Sequence, residues 1–242
     1  MSRVRRPDGR TPFALRPIRI RTGVQKDPAG SVQIEFGDTV VLCAATVAEE
    51  VPRWFSREGR PGGWVTGEYA MLPGSTPGRA SRQQRGRAEE IQRLIGRSLR
   101  AAVDLEALGP RTVTIDCDVI QADGGTRTAA VTGGYVALVL AVRRLMDEGK
   151  LTALPIRRAV CAVSCAILDG RPVLDPCYAE DHRAEVDMNF VIADDGRFVE
   201  VQGTAESEPF SGEGLIRMSR LALRGSARLF GLQRDALKLP AR

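Results

Sequence analysis

The chain of 242 residues is long enough for one large domain or two small ones, and its 43% hydrophobic and 27% charged residues are typical of a soluble globular protein. The longest purely apolar run, Tyr135 to Val142, is too short to span a bilayer, and the arginine-rich N-terminus lacks the apolar core of a secretory signal. Five cysteines without a CxxC pair argue against a disulfide framework or a zinc site, so we expect a reduced, cytoplasmic protein with no membrane partner.

The charges are distributed unevenly behind a net value of +5. Residues 1–27 carry eight basic and two acidic side chains, and residues 52–100 carry ten arginines against four glutamates. Residues 168–213 reverse this balance, with twelve acidic and three basic side chains. Basic stretches attract polyanions, whereas crowded carboxylates repel them unless a cation lies between.

The first predicted element is a hairpin, in which Ser31 to Phe36 alternates, Gly37-Asp38 turns, and Thr39 to Val47 returns as a buried strand. From Val51 to Gly86 the periodicity is lost and Gly, Pro, Ser and Arg accumulate, which predicts a long loop. This loop contains several arginines and aromatic residues: Arg53, Arg57, Arg60, Arg79, Arg82, Arg85, Trp54, Phe55 and Trp64. Such a mixture suits single-stranded nucleic acid, and a solvated mobile loop is the alternative.

A helix is predicted from Arg87 to Leu105, with Ile91, Leu94, Ile95, Leu99 and Ala102 along its apolar face. Arg87 falls at the start of this helix, where a cation opposes the helix dipole. The arginine therefore needs an anionic neighbour there. Glu90 and a bound phosphate are the two candidates.

The next strand carries Val113, Ile115, Cys117 and Val119 on one face and leads through Asp123-Gly124-Gly125-Thr126-Arg127 into an apolar helix, Thr128 to Glu148. Glycines between a strand and a helix let a ligand approach the helix N-terminus, which favours anions such as phosphate. A glycine turn with a Thr cap is the alternative. No Walker motif or GxGxxG fingerprint is present. Within the helix, Gly133-Gly134 predicts close packing against another backbone.

The second half of the chain contains two further hairpins and a helix. Ala159 to Leu168 pairs with Pro172 to Leu174 across Asp169-Gly170, and Asp187 to Ala193 pairs with Arg197 to Val201. Ser211 to Leu229 is predicted as an amphipathic helix. Hairpins followed by a helix in each half indicate an α+β sandwich of mixed sheets packed with helices.

An acidic segment precedes the second of these hairpins, with five carboxylates in the thirteen positions from Asp175 to Asp187. Asp181, Glu185 and Asp187 are separated by even numbers of residues, so they share a face wherever the segment is extended. Mg²⁺ is commonly held by one or two carboxylates plus substrate phosphates. A solvated acidic turn is the alternative. Because His182 is the only histidine, a His-rich metal site is excluded.

Several motifs in order along the chain resemble the bacterial ribonuclease PH family, which is related to exosome ring subunits and polynucleotide phosphorylase: GSVQIEFGDT, GEYAMLP, GRAEEIQRLIGRSLRA, DCDVIQADGGTRTA, CYAEDHRAEVDMN and VQGTAE. The resemblance implies a single α/β domain over residues 1–242, built as a two-layer sandwich of mixed sheets and helices. Roughly residues 10–150 would carry the phosphate site and an RNA loop, and roughly 151–242 the acidic metal site.

The activity implied by the resemblance is 3′→5′ phosphorolysis of tRNA precursors and other RNA 3′ ends by a homohexameric ring, a trimer of dimers. Inorganic phosphate would be the co-substrate, Mg²⁺ or Mn²⁺ the cofactor, and nucleoside diphosphates the product of a reversible reaction. By motif, the phosphate-binding residues would be Arg87, Gly125, Thr126 and Arg127. The catalytic and metal-binding pair would be Asp181 and Asp187, and the RNA-binding residues Arg79, Arg82 and Arg85.

One position departs from the family pattern, because Gly74 follows Met71-Leu72-Pro73 where the family usually has an arginine. Two other functional classes stay open at this point. The first is a non-catalytic ring subunit that binds RNA, and the second is a phosphate-binding regulatory domain.

Overall fold

The computed structural model describes residues 6–82, 86–206 and 208–239. The N-terminal half contains five strands and four helices: β1 (Ile18–Thr22), β2 (Gly30–Phe36), β3 (Thr39–Ala48), α1 (Arg53–Arg57), β4 (Trp64–Met71), α2 (Arg87–Arg100), α3 (Leu105–Leu108), β5 (Thr112–Gln121) and α4 (Thr126–Asp147). The C-terminal half contains four strands and two helices: β6 (Val160–Leu168), β7 (Arg171–Leu174), α5 (Tyr178–Asp181), β8 (Val186–Ala193), β9 (Phe198–Ala205) and α6 (Gly212–Ala236).

The first sheet has the strand order β1-β2-β3-β5-β4 and is antiparallel except for the β4–β5 pair. The predicted hairpin is confirmed as β2 and β3, joined at Gly37, whose φ of 57° suits glycine. On β5, the four predicted inward residues are buried. Because period-two alternation places these side chains on one face, they pack against α4.

The second sheet is antiparallel throughout, with the order β7-β6-β8-β9. Both predicted hairpins are confirmed, and Asp169 and Gly170 form the tight turn between β6 and β7 with φ angles of 49° and 69°. Helix α6 packs on β6 and β7 and is capped by Ser211, whose hydroxyl accepts a hydrogen bond from the Gly214 amide. The architecture is therefore the expected mixture of two sheets packed with helices.

Helix α4 contacts both sheets and lies at the centre of the core. Among the described residues it is the one helix long and apolar enough to cross a membrane, with a mean hydropathy of 1.4, but 78% of that window is buried in the fold. A Cβ added at Gly133 would lie 2.7 Å from Ile34 Cγ2, so the predicted close packing exists but is against side chains. The close backbone approach is at Gly30, where a Cβ would lie 2.2 Å from the Ala137 carbonyl oxygen. Burial on nearly all sides explains the apolar run from Tyr135 to Val142 within α4.

Two predictions for the N-terminal half are wrong. The segment from Val51 to Gly86 is not a continuous loop, because it contains α1 and the parallel edge strand β4. The second error concerns α2, which ends at Arg100 rather than Leu105. Asp104 starts the separate helix α3 there by accepting a hydrogen bond from the Ala107 amide.

Candidate active site

A cleft of about 590 Å³ lies where the C-terminal ends of β4 and β5 meet the start of α4 and the α5–β8 segment. Its lining includes the four residues predicted to bind phosphate, Arg87, Gly125, Thr126 and Arg127, together with both predicted catalytic carboxylates, Asp181 and Asp187. The two groups come from different sheets and are distant along the chain. The fold thus brings the basic and acidic candidates to one site.

The glycine turn at the start of α4 has the geometry of an anion-binding loop. Gly124 and Gly125 have φ angles of 75° and 67°, which few other residues adopt, and the helix begins at Thr126. Hydrogen bonds to its carbonyl groups hold the loop in place. Thr39 Oγ1 donates to the Gly124 carbonyl at 2.6 Å, and Arg16 donates to the carbonyls of Asp123 and Gly124. A rigid loop that presents a helix N-terminus to the cleft is suited to a phosphate group.

The hydroxyl of Thr126 pairs with the buried hydroxyl of Tyr69 at 2.8 Å. If Tyr69 donates, the Thr126 hydrogen is free to point at an anion in the cleft. The opposite direction would aim the Thr126 lone pairs at that anion and leave the phenolic hydrogen without this acceptor. An anion in the cleft therefore favours donation from Tyr69 to Thr126. Burial raises the pKa of Tyr69, which keeps the phenol protonated as this arrangement requires.

Arg87 and Arg127 supply the positive charge of the cleft. Arg127 Nη1 donates to Gln202 Oε1 at 3.1 Å and lies 3.5 Å from Glu90 Oε1. Glu90, the local candidate partner for Arg87, is therefore engaged with Arg127 instead. Within the described part of the chain, Arg87 has no ion pair, and its exposed side chain lines the cleft. An anion held between these two arginines is the remaining candidate partner for Arg87.

The five carboxylates of the acidic segment fall into two kinds. Asp175 pairs with Arg16 at 2.6 Å, and Glu180 pairs with Arg6 at 2.7 Å, in both cases with almost completely buried side chains. Buried charges of this kind are stable only when paired and hydrogen-bonded. These two carboxylates therefore fix the N-terminal segment against the loop before α5.

Asp181 and Asp187 have no ion pair within the described ranges, and both line the cleft. Glu185, expected on the same face, is instead exposed and accepts a hydrogen bond from the Gly170 amide at 3.0 Å. The shared face was expected only for an extended segment, and α5 and the turn after it are not extended, so the even spacing does not place Glu185 with the other two.

Burial raises the pKa of both unpaired carboxyls. The pKa of Asp181 is raised by desolvation, against which the positive charges of Arg87 and Arg127 act. The pKa of Asp187 is raised to about 6 by desolvation and by its neighbour Asp181. Asn189 donates to Asp187 Oδ2 at 3.4 Å, and Ser164 donates to Asn189 Oδ1 at 2.8 Å. Raised carboxyl pKa values in a cleft are typical of a functional site.

A divalent cation fits the chemistry of these donors. The described residues contain no cluster of three potential metal-ligating side chains. Asp181 and Asp187 nevertheless offer two carboxylates, and Glu206 lines the same cleft. Mg²⁺ is often bound by one or two carboxylates and completes its shell with water and substrate phosphates. The residues present therefore suit Mg²⁺ that is shared with a phosphorylated substrate.

The predicted RNA-binding arginines lie in the loop after β4. Arg79 and Arg82 are exposed, and Thr76, Pro77 and Gly78 of the same loop line the cleft. Arg85 lies outside the described residues. Gly74, where the family pattern has an arginine, is exposed, and a Cβ added there would meet no heavy atom within 4 Å. The loop thus borders the cleft and has space for a larger side chain at Gly74.

The aromatic residues expected to accompany these arginines lie elsewhere. Trp54, Phe55 and Trp64 form an aromatic cluster, with Trp54 and Trp64 at 4.9 Å and Arg100 over the Trp64 ring at 4.2 Å. Trp64 begins β4, whereas the cleft lies at the other end of the strand, about 23 Å away at 3.3 Å per residue. The aromatic cluster is therefore not part of the candidate site.

Several residues that contact or hold the site escaped the sequence analysis, among them Tyr69, Ser164, Asn189, Gln202 and Arg16. Asn189 could have been found, because it follows Asp187 by two positions on the same strand and therefore shares its face. Ser164 lies opposite Asn189 in the β6–β8 register. The other three act across long sequence separations and leave no local pattern.

Comparisons with known proteins agree with this geometry. Family models for the 3′ exoribonuclease family match residues 14–143 as domain 1 and residues 158–225 as domain 2. The chain is similar to the crystal structure of rice (Oryza sativa) Rrp46, with 21% identity, a TM-score of 0.80, and coverage of 96% of this chain and 100% of the other.

Two archaeal structures are similar as well. The Archaeoglobus fulgidus exosome with RNA bound to the active site has 20% identity and a TM-score of 0.80, over 94% of this chain and 92% of the other. An archaeal exosome core has 21% identity and a TM-score of 0.76, over 95% and 90%. At these identities the structural likeness establishes the fold, while the family models establish kinship. The chain belongs to the 3′ exoribonuclease family, with the two-sheet fold of ribonuclease PH.

Proposed function

We propose that the protein is a phosphorolytic 3′→5′ exoribonuclease that uses inorganic phosphate to remove terminal nucleotides from tRNA precursors and other RNA 3′ ends. The observation that carries this proposal is the single cleft in which Arg87, the Gly125–Arg127 turn and the unpaired Asp181 and Asp187 meet. A hydrolase has no need of a dedicated site for free phosphate. An RNA-binding subunit without activity has no need of two partly buried carboxylates without ion pairs.

The chemistry follows from the charges in the cleft. Orthophosphate held by Arg87, Arg127, the Thr126 hydroxyl and the α4 amides attacks the α-phosphorus of the 3′-terminal nucleotide in line. A new P–O bond forms, the bond to the 3′ oxygen of the preceding nucleotide breaks, and that oxygen takes up a proton. The terminal nucleotide leaves as a nucleoside diphosphate. The main obstacle is the repulsion between two anions, which fixed cationic donors reduce.

The acidic side of the cleft would hold the RNA end. Asp181 and Asp187 would bind Mg²⁺, or Mn²⁺ in its place, and the ion would neutralise charge on the phosphodiester. Asn189 orients Asp187 through its hydrogen bond. Because one phosphoanhydride replaces one phosphodiester of similar energy, the same residues would also catalyse the reverse reaction and add nucleotides from diphosphates.

The partners are proposed on the same basis. Exposed Arg79 and Arg82, with Arg85, would contact RNA phosphates beside the cleft. The similarity to archaeal exosome structures, one of them with RNA bound to the active site, supports RNA as the ligand and assembly with other subunits. The homohexameric ring, a trimer of dimers, is proposed from the motif resemblance. We place the enzyme in the cytoplasm.

Replacing Arg79, Arg82 and Arg85 together should flatten the salt dependence of RNA binding, since each phosphate contact contributes to that slope.

The test uses the full chain, Mg²⁺ and an RNA with extra 3′ nucleotides, with and without inorganic phosphate. The expected result is stepwise shortening that requires phosphate and releases nucleoside diphosphates, and extension of the RNA when diphosphates are supplied in excess. Nucleoside monophosphates would show a hydrolase. RNA binding without any product would show a non-catalytic ring subunit, and binding of phosphate without RNA would show a regulatory domain.

A further inference from the structure

Tyr178 is an exposed aromatic side chain on the lining of the cleft, and the chemistry described above leaves it unused. Its exposed fraction is 56%, which is high for an aromatic residue in a binding site. Tyr178 begins α5, and Asp181 ends the same helical turn three positions later. Both side chains line the cleft, and side chains at i and i+3 lie on the same side of a helix, so the ring is on the side of α5 that carries Asp181.

The element that carries this ring is held firmly. The Tyr178 amide donates to Asp123 Oδ1 at 3.1 Å, and a Cβ added at Gly124 would lie 3.0 Å from the Tyr178 nitrogen, so α5 starts directly against the glycine turn. One position before α5, the Cys177 amide donates to Glu180, which is itself fixed by Arg6. The exposed ring is therefore presented by a rigid backbone.

His182 covers one face of the Tyr178 ring. The two ring centroids are 5.9 Å apart and the planes differ by 18°, which is the geometry of an offset stack. One face of the Tyr178 ring thus packs against His182, while the opposite face can accept a ligand. An exposed ring of this kind beside a site for phosphate groups suits a nucleobase, since every base has a π face.

We propose that Tyr178, supported by His182, is the stacking platform for the base of the 3′-terminal nucleotide. This inference rests on the proposed function in one respect, namely that the RNA 3′ end lies in this cleft. The phosphate of the terminal nucleotide then faces Asp181 and Asp187, and its base lies over the adjacent ring. Stacking does not distinguish the bases, so the platform binds any terminal nucleotide, as a trimming enzyme requires.

The test measures RNA binding in Mg²⁺ without phosphate, so that no turnover occurs, with a 5′-labelled RNA and fluorescence anisotropy. Tyr178→Ala should weaken binding about tenfold, whereas Tyr178→Phe should bind as wild type does, because the ring and not the hydroxyl makes the contact. Phe13→Ala is the matched control, since Phe13 is also 56% exposed but lies outside the cleft, and it should leave RNA binding unchanged.

A second RNA with an abasic 3′-terminal nucleotide makes the assignment specific. Wild type should bind it about tenfold more weakly than the intact RNA, and Tyr178→Ala should lose nothing further on it. Equal losses for Tyr178→Ala on both RNAs, or no loss on the intact RNA, would overturn the platform.

The phosphorolysis assay separates this inference from the proposed function. If nucleoside diphosphates are released but the effect of Tyr178→Ala on RNA binding does not depend on the terminal base, the platform alone is refuted. If the effect of Tyr178→Ala depends on the terminal base but no nucleoside diphosphate is released, the platform is supported and the proposed chemistry is refuted.

Discussion

The two walls of the cleft differ in how their charges respond to their surroundings. The basic wall, Arg87 and the Gly125–Arg127 turn, combines two guanidinium groups with the N-terminus of α4. The acidic wall, Asp181 and Asp187, is partly buried and lacks ion pairs among the described residues, so its pKa values are raised. The charge of the acidic wall therefore depends on pH, and a bound cation would compensate it.

The largest effect is expected on the acidic wall. Asp187→Asn should lower phosphorolysis by about a thousandfold, because it removes one of two carboxylates that would hold the metal. Glu185→Gln is the matched control, since the Glu185 side chain lies in the same segment, accepts a hydrogen bond from the Gly170 amide and does not line the cleft, and it should keep full activity. Near-normal turnover by Asp187→Asn would remove the carboxylate pair from the mechanism.

The same variant has a predicted stability effect with a definite sign. The folded-state pKa of Asp187, about 6, lies above its ordinary value of 3.8, so its ionised form destabilises the fold at pH 7. Asp187→Asn should therefore unfold at an equal or higher temperature than wild type at pH 7. The difference should shrink as the pH falls through 6, where the wild-type carboxyl becomes protonated. Thermal unfolding at pH 7 and pH 5 measures it.

The basic wall is expected to give the next largest effect. Arg127→Ala should raise the KM for phosphate about a hundredfold while leaving most RNA binding intact, because it removes a guanidinium group that would bind the phosphate. Arg97→Ala is the control, as Arg97 pairs with Glu200 and does not line the cleft. An unchanged KM for phosphate in Arg127→Ala would mean that the anion site lies elsewhere.

The pH response sharpens the contrast between the walls. Mn²⁺ binding, followed by electron paramagnetic resonance without phosphate or RNA, should weaken about tenfold from pH 7 to pH 5, because protons compete for a carboxyl whose pKa is about 6. Mn²⁺ affinity that stays constant between pH 7 and pH 5 would contradict the assignment of Asp187 as a ligand.

The smallest effect concerns the hydrogen bond between Tyr69 and Thr126 at the glycine turn. Tyr69→Phe should raise the KM for phosphate about fivefold and leave kcat and the KM for RNA unchanged, because it removes the donor that orients the Thr126 hydroxyl. In a Thr126→Val background the same change should have little further effect, since Tyr69 acts through Thr126. Additive losses in the double variant would show that Tyr69 acts independently.

Much of the fold was predictable because the hairpins carry local signals. Alternation and turn residues such as Gly37-Asp38 and Asp169-Gly170 define them without reference to the rest of the chain. Strand β4 was missed because its central inward position is Gly67, where a Cβ would lie 2.5 Å from Ile95 Cγ2. The helix packed against it requires a glycine there, and this removes the apolar residue on which the alternation depends.

The site was predictable to a similar degree. The glycine turn, Arg87 and the acidic segment each have a local pattern, but their meeting in one cleft follows from the tertiary fold. Which carboxylates stay unpaired also depends on it, because Arg6 and Arg16 neutralise Glu180 and Asp175 from more than 150 positions away. Spacing would have placed Glu185 beside Asp181 and Asp187 only in an extended segment, and α5 and the turn after it are not extended.

The most direct measurement of the central claim follows the phosphorus atom of the nucleophile. The protein is incubated with RNA, Mg²⁺ and ³²P-labelled orthophosphate, and the released nucleotides are separated. The account predicts that the label appears in the β-phosphate of nucleoside diphosphates, at one labelled phosphate per nucleotide removed. Release of unlabelled nucleoside monophosphates would contradict it, because water and not the phosphate in the cleft would then be the nucleophile.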